Sequence, residues 1–182
     1  CALPISGSVA FAGRLVTGPG RERGVVFQRD VLFPWATVGS NIGFALRAAK
    51  VPRAQRRARI AELISAVGLA PDVAHKRPHE LSGGMRQRAA LIRTLALDPE
   101  LLLLDEPFSA LDVLTAETLR TDLLDLWNDG KMPIKSILIV THNIEEAVFM
   151  CDRILVLSSN PGRVVAEIKV PFAHPRDRLD PD

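Results

Sequence analysis

Residues 81–112, LSGGMRQRAALIRTLALDPELLLLDEPFSALD, restrict the folds open to this chain more than any other stretch. The turn Ser82-Gly83-Gly84 leads into an apolar stripe at Met85, Ala89, Ile92 and Ala96, the spacing of one helix face. Asp98-Pro99 stops that helix. Leu101 to Leu104 is a continuous apolar run, as expected of a parallel strand covered on both faces, and it ends in Asp105-Glu106. Carboxylates at the carboxyl end of such a strand stand where α/β sheets place their ligands. Two glycines let a ligand approach the backbone closely, and the free N–H groups of the helix start favour an anion. Together these features describe a phosphate-binding α/β protein.

Two other apolar strands repeat the pattern. Val25–Phe27 ends in Gln28, and Ile137–Val140 ends in Thr141-His142. As parallel neighbours, the three strands would collect Gln28, Asp105, Glu106 and His142 along one edge of the sheet. A lone Gln or His at a strand end is usually structural, but three coincident ends are hard to dismiss.

The remaining segments supply flanking elements. Residues 5–16, with Gly7, alternating Val9 and Phe11, then Gly13, read as a hairpin of half-buried strands, followed by a turn at Gly18-Pro19-Gly20. Beyond Gln28, a loop enters a helix with Val38, Ile42, Ala45, Leu46 and Ala49 on one side. Pro52 opens a second helix striped by Ile60, Leu63, Ile64 and Val67, and Gly68 is placed to cap it. Residues 38 to about 97 therefore read as a mostly helical insertion between two strands. Thr115–Trp127 is a helix with Leu119, Leu123 and Leu126 inward, and Asn128–Pro133 is a turn. Asn143 with Glu146 forms an N-cap pair for a helix striped by Ile144, Ala147, Val148 and Cys151. Ile154–Leu157 and Val164–Val170 are strands, the second an outer one; the tail from 171 is assigned no element.

Composition mainly excludes. With 182 residues and 47% hydrophobic content the chain can bury one core. A net charge of +2 gives no global argument for nucleic acid, and the cluster Arg53, Arg56, Arg57 and Arg59 reads as a solvated helix face. Cys1 and Cys151 have no metal or disulfide spacing, and Cys151 reads as a packed core residue. No apolar run has the length of a membrane span.

These motifs resemble a known family. LSGGMRQR is similar to the signature motif of ABC-type ATPases, LLLLDEP to their Walker B strand, and SALD to their D-loop. The resemblance runs from the opening hairpin to about Val170. It implies a single, partial domain over 1–182: an α/β ABC-type P-loop ATPase with a parallel core sheet and flanking helices. An antiparallel hairpin would precede the core, and a helical subdomain at about 38–97 would lie between Q-loop and signature, with a tail at 171–182. It also implies ATP and Mg²⁺ as cofactors. Asp105 would hold the metal, helped by Gln28 of the Q-loop. Glu106 would be the general base, with His142 reaching the γ-phosphate and Gln28 reading the water. Ser82, Gly83 and Gly84 would bind the γ-phosphate of ATP held by the opposite subunit, and Asp112 would sit at the dimer contact.

The segment QRDVLFPWATVGSNI resembles the Q-loop region of bacterial importer ATPases, which receives a permease helix; Phe33 and Trp35 either make that contact or pack the subdomain. THNIEEAVFMCDRILVLSSNPGRVV is similar to the nitrate, sulfonate and taurine branch. The resemblance thus implies a homodimer or paired ATPase subunits on the cytoplasmic face of the bacterial inner membrane. Transmembrane permease subunits and, indirectly, a periplasmic solute-binding protein would be partners, and no nucleic acid is expected. Three departures stand out. Met85 replaces the signature's usual glutamine and Asn143 the aspartate that often follows the histidine. There is no G-x-x-x-x-G-K-[ST] loop in the 182 residues, so N-terminal truncation is expected and the polypeptide by itself should be inactive. The alternatives are a non-transport ABC ATPase of DNA repair or the ribosome, or a degenerate cassette that only binds. Against the first stand the short insertion between Gln28 and Ser82 and the FPWATV segment; against the second stand intact Gln28, Glu106 and His142.

Overall fold

The computed structural model describes residues 7–29, 31–128, 130, 132–174 and 176. Its centre is a three-stranded parallel sheet in the order β3–β4–β5, formed by Arg23–Val26, Leu101–Asp105 and Ser136–Val140. Val26 pairs with Leu104, and Leu104 with Ile139, so the three strands end level. Before them, β1 (Ala10–Phe11) and β2 (Arg14–Leu15) form a two-stranded antiparallel hairpin, and after them β6 (Arg153–Leu157) pairs antiparallel with β7 (Val164–Lys169).

The central strand is buried on one face and part-buried on the other, where Leu101 and Leu103 lie, and the sheet's two faces are packed unequally. Leu102 and Leu104 are 0% and 2% exposed and Val26 is 3%, whereas Val25, Leu138 and Val140 on the other face are 37%, 52% and 52% exposed. Period-2 alternation sorts the apolar run between a fully and a partly packed side, which composition alone cannot reveal. The opening hairpin is likewise exposed rather than half-buried, with Val9 and Leu15 open to solvent; its first residues, at 5 and 6, lie outside the described residues.

The helices form where the apolar stripes lie. Helix α1 (Val38–Ala48) is capped by Thr37, whose hydroxyl accepts from Ser40 N, and buries Val38, Ile42, Ala45 and Leu46. Helix α2 (Arg53–Ala66) follows Pro52 and buries Leu63 and Ile64; Gly68 ends it at φ +65°, a left-handed conformation that costs glycine nothing. Two short 3₁₀ turns, Pro71–His75 and Pro78–Glu80, lead to α3 (Gly83–Leu95). Burying Ile42, Leu46, Ile64, Ile92 and Leu95 packs α1 and α2 against α3, and α3 in turn packs on β3, at about 1.5–3 kcal/mol per side chain.

Helix α4 (Val113–Asn128) connects β4 to β5, burying Leu119 and Leu123. Positions 129 and 131 of the turn expected at 128–133 lie outside the described residues. In α5 (Ile144–Met150) the expected apolar stripe is corrected. Ile144 is 80% exposed, and the inward residues are Glu146 and Met150. The tail, left without an element, does carry contacts: Arg176 donates to the carbonyls of Val148, Phe149 and Cys151 at 2.8, 3.2 and 2.9 Å, capping the C-terminal end of α5.

Candidate nucleotide-hydrolysis site

The level ends of β3, β4 and β5 bring Gln28, Asp105, Glu106 and His142 to one edge. Glu106 is the centre of the group. Its N–H donates to Val140 O across the strands at 2.8 Å, and its φ of +43° is left-handed. A non-glycine residue there costs on the order of 1–2 kcal/mol, and such strain concentrates at functional sites. The turn aims the carboxylate between two partners: Gln28 Nε2 donates to Oε2 at 3.0 Å, and His142 Nδ1 lies 3.1 Å from Oε1. Asp105, the last residue of the strand, is exposed and takes no part in these two hydrogen bonds.

Ser109 joins the group. Its hydroxyl donates to Glu106 O at 2.9 Å and accepts from Gln28 Nε2 at 3.3 Å, so it closes the turn and steadies the glutamine. Nothing in the spacing of PFSALD singled it out. Gln28 is also braced from behind by α3. Gln87 Nε2 donates to Phe27 O at 3.4 Å and Thr94 Oγ1 to Val25 O at 3.2 Å. Arg93 donates to Val31 O at 2.6 Å and lies over the Phe33 ring; burial pushes its guanidinium below its usual range. These braces come from polar positions of the signature helix, which an apolar-stripe reading passes over.

The signature turn lies on a different cleft. Ser82 caps α3, its hydroxyl accepting from Met85 N at 3.2 Å. Gly83 and Gly84 open the helix, and a Cβ on Gly84 would run into the Thr115 methyl of α4. Close packing against α4 is therefore one reason for this glycine, beside any ligand. Asp112 caps α4, accepting from Thr115 N at 3.0 Å and Thr115 Oγ1 at 2.6 Å. Those hydrogen bonds hold its carboxyl below the usual aspartate range. Ser82, Gly84 and Thr115 line a cleft of about 360 Å³, while Glu106, Ser109 and His142 line another of about 290 Å³.

The edge suits a hard cation only with outside help. Among the described residues no group of three or more His, Cys, Asp or Glu side chains could hold a metal. Asp105 offers a carboxylate, and Gln28, its nitrogen engaged by Glu106 and Ser109, has its amide oxygen left to offer. Two oxygen donors fit Mg²⁺ completed by phosphate and water, the usual arrangement for that ion at nucleotides.

A parallel sheet whose strand ends converge on a glutamate, with a Ser-Gly-Gly helix start on a second cleft, is the arrangement expected of an ATP-binding cassette, and the ABC transporter family model matches residues 2–109. The chain belongs to the ABC transporter family. It is 48% identical over 170 residues to a taurine import ATP-binding protein, TauB, of Sinorhizobium fredii, covering 93% of this chain and 62% of that protein. With TauB of Mesorhizobium japonicum the identity is 50%, covering 93% and 65%. The chain thus spans less than two thirds of the length of these curated relatives. Among solved structures it is similar to the dimeric, post-hydrolysis state of the ATP-binding cassette MJ0796 bound to ADP and Pi. The TM-score is 0.78 at 31% identity, over 93% of this chain and 76% of that one.

Proposed function

We propose that this chain is the hydrolytic part of an importer's ATP-binding subunit, which powers uptake of taurine or a closely related sulfonate through separate permease subunits. The observation that carries the reading is Glu106, presented on a left-handed turn and held between Gln28 and His142. A carboxylate so fixed can accept a proton from water attacking the γ-phosphate of ATP, a role worth about 10²–10⁴ in rate. His142, hydrogen-bonded to that base, is within reach of charge developing on the phosphate. Gln28 orients the water together with Glu106. Asp105 and Gln28 would hold Mg²⁺, which when bound neutralises phosphate charge.

Ser82 and Gly84 line a separate cleft from Glu106, which fits a turn, Gly83 included, that serves the γ-phosphate bound by a second copy. Asp112, at the head of the helix between the clefts, would stand at the contact between copies. The MJ0796 cassette is dimeric and holds ADP and Pi, in keeping with this arrangement.

The permease contact is supported by an aromatic cluster beyond Gln28. Trp35 is 74% exposed and stacked on Phe33 at 5.3 Å, with Phe44 edge-on to Phe33 at 5.2 Å. Exposed aromatic surface of this kind marks a protein partner. No helix among the described residues is long and apolar enough to cross a membrane. As the ATP-binding subunit of an importer, it would sit peripherally on the cytoplasmic face of the inner membrane. A solute-binding protein would deliver the substrate from the other side. Reconstitution of the full-length protein with its permease and binding protein tests the reading. Mg²⁺·ATP hydrolysis should rise with taurine and be lost in Glu106→Gln. Stimulation by nitrate but not by taurine would overturn the substrate, and parental hydrolysis in Glu106→Gln would overturn the site.

A further inference from the structure

Arg120 of α4 and Glu146 of α5 form an ion pair that sequence spacing does not announce. The guanidinium NH2 lies 3.2 Å from Oε2, and the two side chains are 8% and 4% exposed. Removing both charges from water is costly, and a buried pair is often replaced by apolar residues of similar volume without loss of stability. This pair is also incompletely satisfied: Arg120 Nε and Glu146 Oε1 are buried with no hydrogen-bond partner. Stability alone is therefore a poor reason for it to be there.

Its position suggests another. The Arg120 guanidinium lies 5.4 Å from the centre of the Phe108 ring, a buried residue on the turn that carries Glu106. Arg120 itself is on the helix headed by Asp112. Glu146 N donates to Asn143 Oδ1 at 3.0 Å, and Asn143 directly follows His142. The Glu146 side chain, expected to reach back to the head of its own helix, instead points inward to Arg120. One buried pair thus touches the Glu106 turn, the Asp112 helix and the His142 helix, and lines the same cleft as Glu106 and His142.

We propose that Arg120 and Glu146 are positioning residues. They clamp α5 against α4 and the Phe108 turn, and thereby set the 3.1 Å approach of His142 Nδ1 to Glu106 Oε1. Neither touches the reacting atoms. The clamp rests on the reading of Glu106 and His142 as the hydrolytic pair. Misplacing a catalytic group by about 1 Å can cost on the order of 10²-fold in rate.

The test uses the full-length protein with the apolar double variant Arg120→Met/Glu146→Leu and with Glu146→Gln, which keeps volume and an acceptor for Arg120. Single-turnover hydrolysis, KM for ATP and melting temperature are measured in the parent and in a His142→Ala background. The double variant should keep a near-parental melting temperature while kcat falls by about tenfold or more. KM should stay within about twofold; Glu146→Gln, which leaves the buried Arg120 guanidinium without its counter-charge, should lower the melting temperature as well as kcat. Neither should slow the residual single-turnover rate once His142 is gone. An equal loss in both backgrounds, or a shifted melting temperature at parental kcat, would overturn the clamp. If the double variant does not fold, Glu146→Gln decides by the same two criteria. Parental turnover in His142→Ala would instead overturn the hydrolytic role of His142, and the clamp with it.

Discussion

The two clefts on either side of α4 are built in different ways. In the Glu106 cleft, side chains from positions 28, 106, 109 and 142 hydrogen-bond directly to one another. In the signature cleft the polar groups are spent locally: Ser82 caps its own helix and Thr115 is held by Asp112. The first arrangement fits the proton transfer proposed for Glu106. The second is a helix start with its capping complete, suited to receive an anion brought by something else. On the proposed function, chemistry and anion binding are divided between two places on one chain, and a second copy would reunite them.

The largest test of that division is at the carboxylates. In the full-length protein, Glu106→Gln keeps the shape of the site and removes the proton acceptor, so turnover should fall by about 10²-fold or more. ATP should persist, and gel filtration with Mg²⁺·ATP should show a nucleotide-dependent dimer. Asp105→Asn should lose metal affinity and fail to form that dimer. If the two variants behave alike, the division of labour between adjacent carboxylates is wrong.

Next comes the signature cleft itself. Ser82→Arg should abolish hydrolysis while leaving ATP binding at the same chain's own site intact, measured by equilibrium binding. Mixing it with Glu106→Gln should restore about half of parental turnover per mixed dimer, because one of the two composite sites then holds both Ser82 and Glu106. No recovery on mixing, or loss of ATP binding in Ser82→Arg, would show that both clefts serve one chain's own nucleotide.

How much of this was legible in the sequence differs between the clefts. Helices α1 to α3 followed from their apolar stripes, because a helix facing a core reveals its period in a single chain. The convergence of Gln28, Glu106 and His142 followed from parallel strands that end in polar residues, although a strand's ending says nothing of hydrogen-bond geometry. The left-handed turn at Glu106 was hidden, since no glycine marks it. The unequal packing of the sheet's two faces was hidden too, because Leu101–Leu104 is apolar on both sides. Helix α5 was misread for a sharper reason. Its inward position is the charged Glu146, and a pattern of apolar residues cannot show a buried ion whose partner lies 26 positions away.

Gly84→Ala probes the wall shared by the two clefts. The new methyl would strike Thr115, whose hydroxyl is tied to Asp112, so α3 and α4 must part slightly. Overpacking of this kind costs about 1–3 kcal/mol and should lower the denaturation midpoint. A companion Thr115→Ser, which removes the obstructing methyl and keeps the hydroxyl, should recover most of the loss. Without such recovery the contact with the Thr115 methyl would not be the source of the loss.

The smallest effect expected is at Asp112, and its pH dependence identifies its source. The Thr115 hydrogen bonds hold the folded-state carboxyl below the ordinary aspartate value of about 4. The unfolded chain therefore binds the proton at a higher pH than the folded one does. The charged cap's stabilisation is fully present above about pH 4 and is lost as pH falls through the lower folded value. Asp112→Asn keeps the side-chain shape and one acceptor but no charge. It should melt slightly below the parent at pH 7, and the two curves should converge under acid. A fully exposed carboxylate is readily screened, so high salt should also narrow the gap. A gap that persists unchanged into acid would mean that Asp112 acts on α4 through shape alone, and that the charge at the head of the helix is free for the contact between copies.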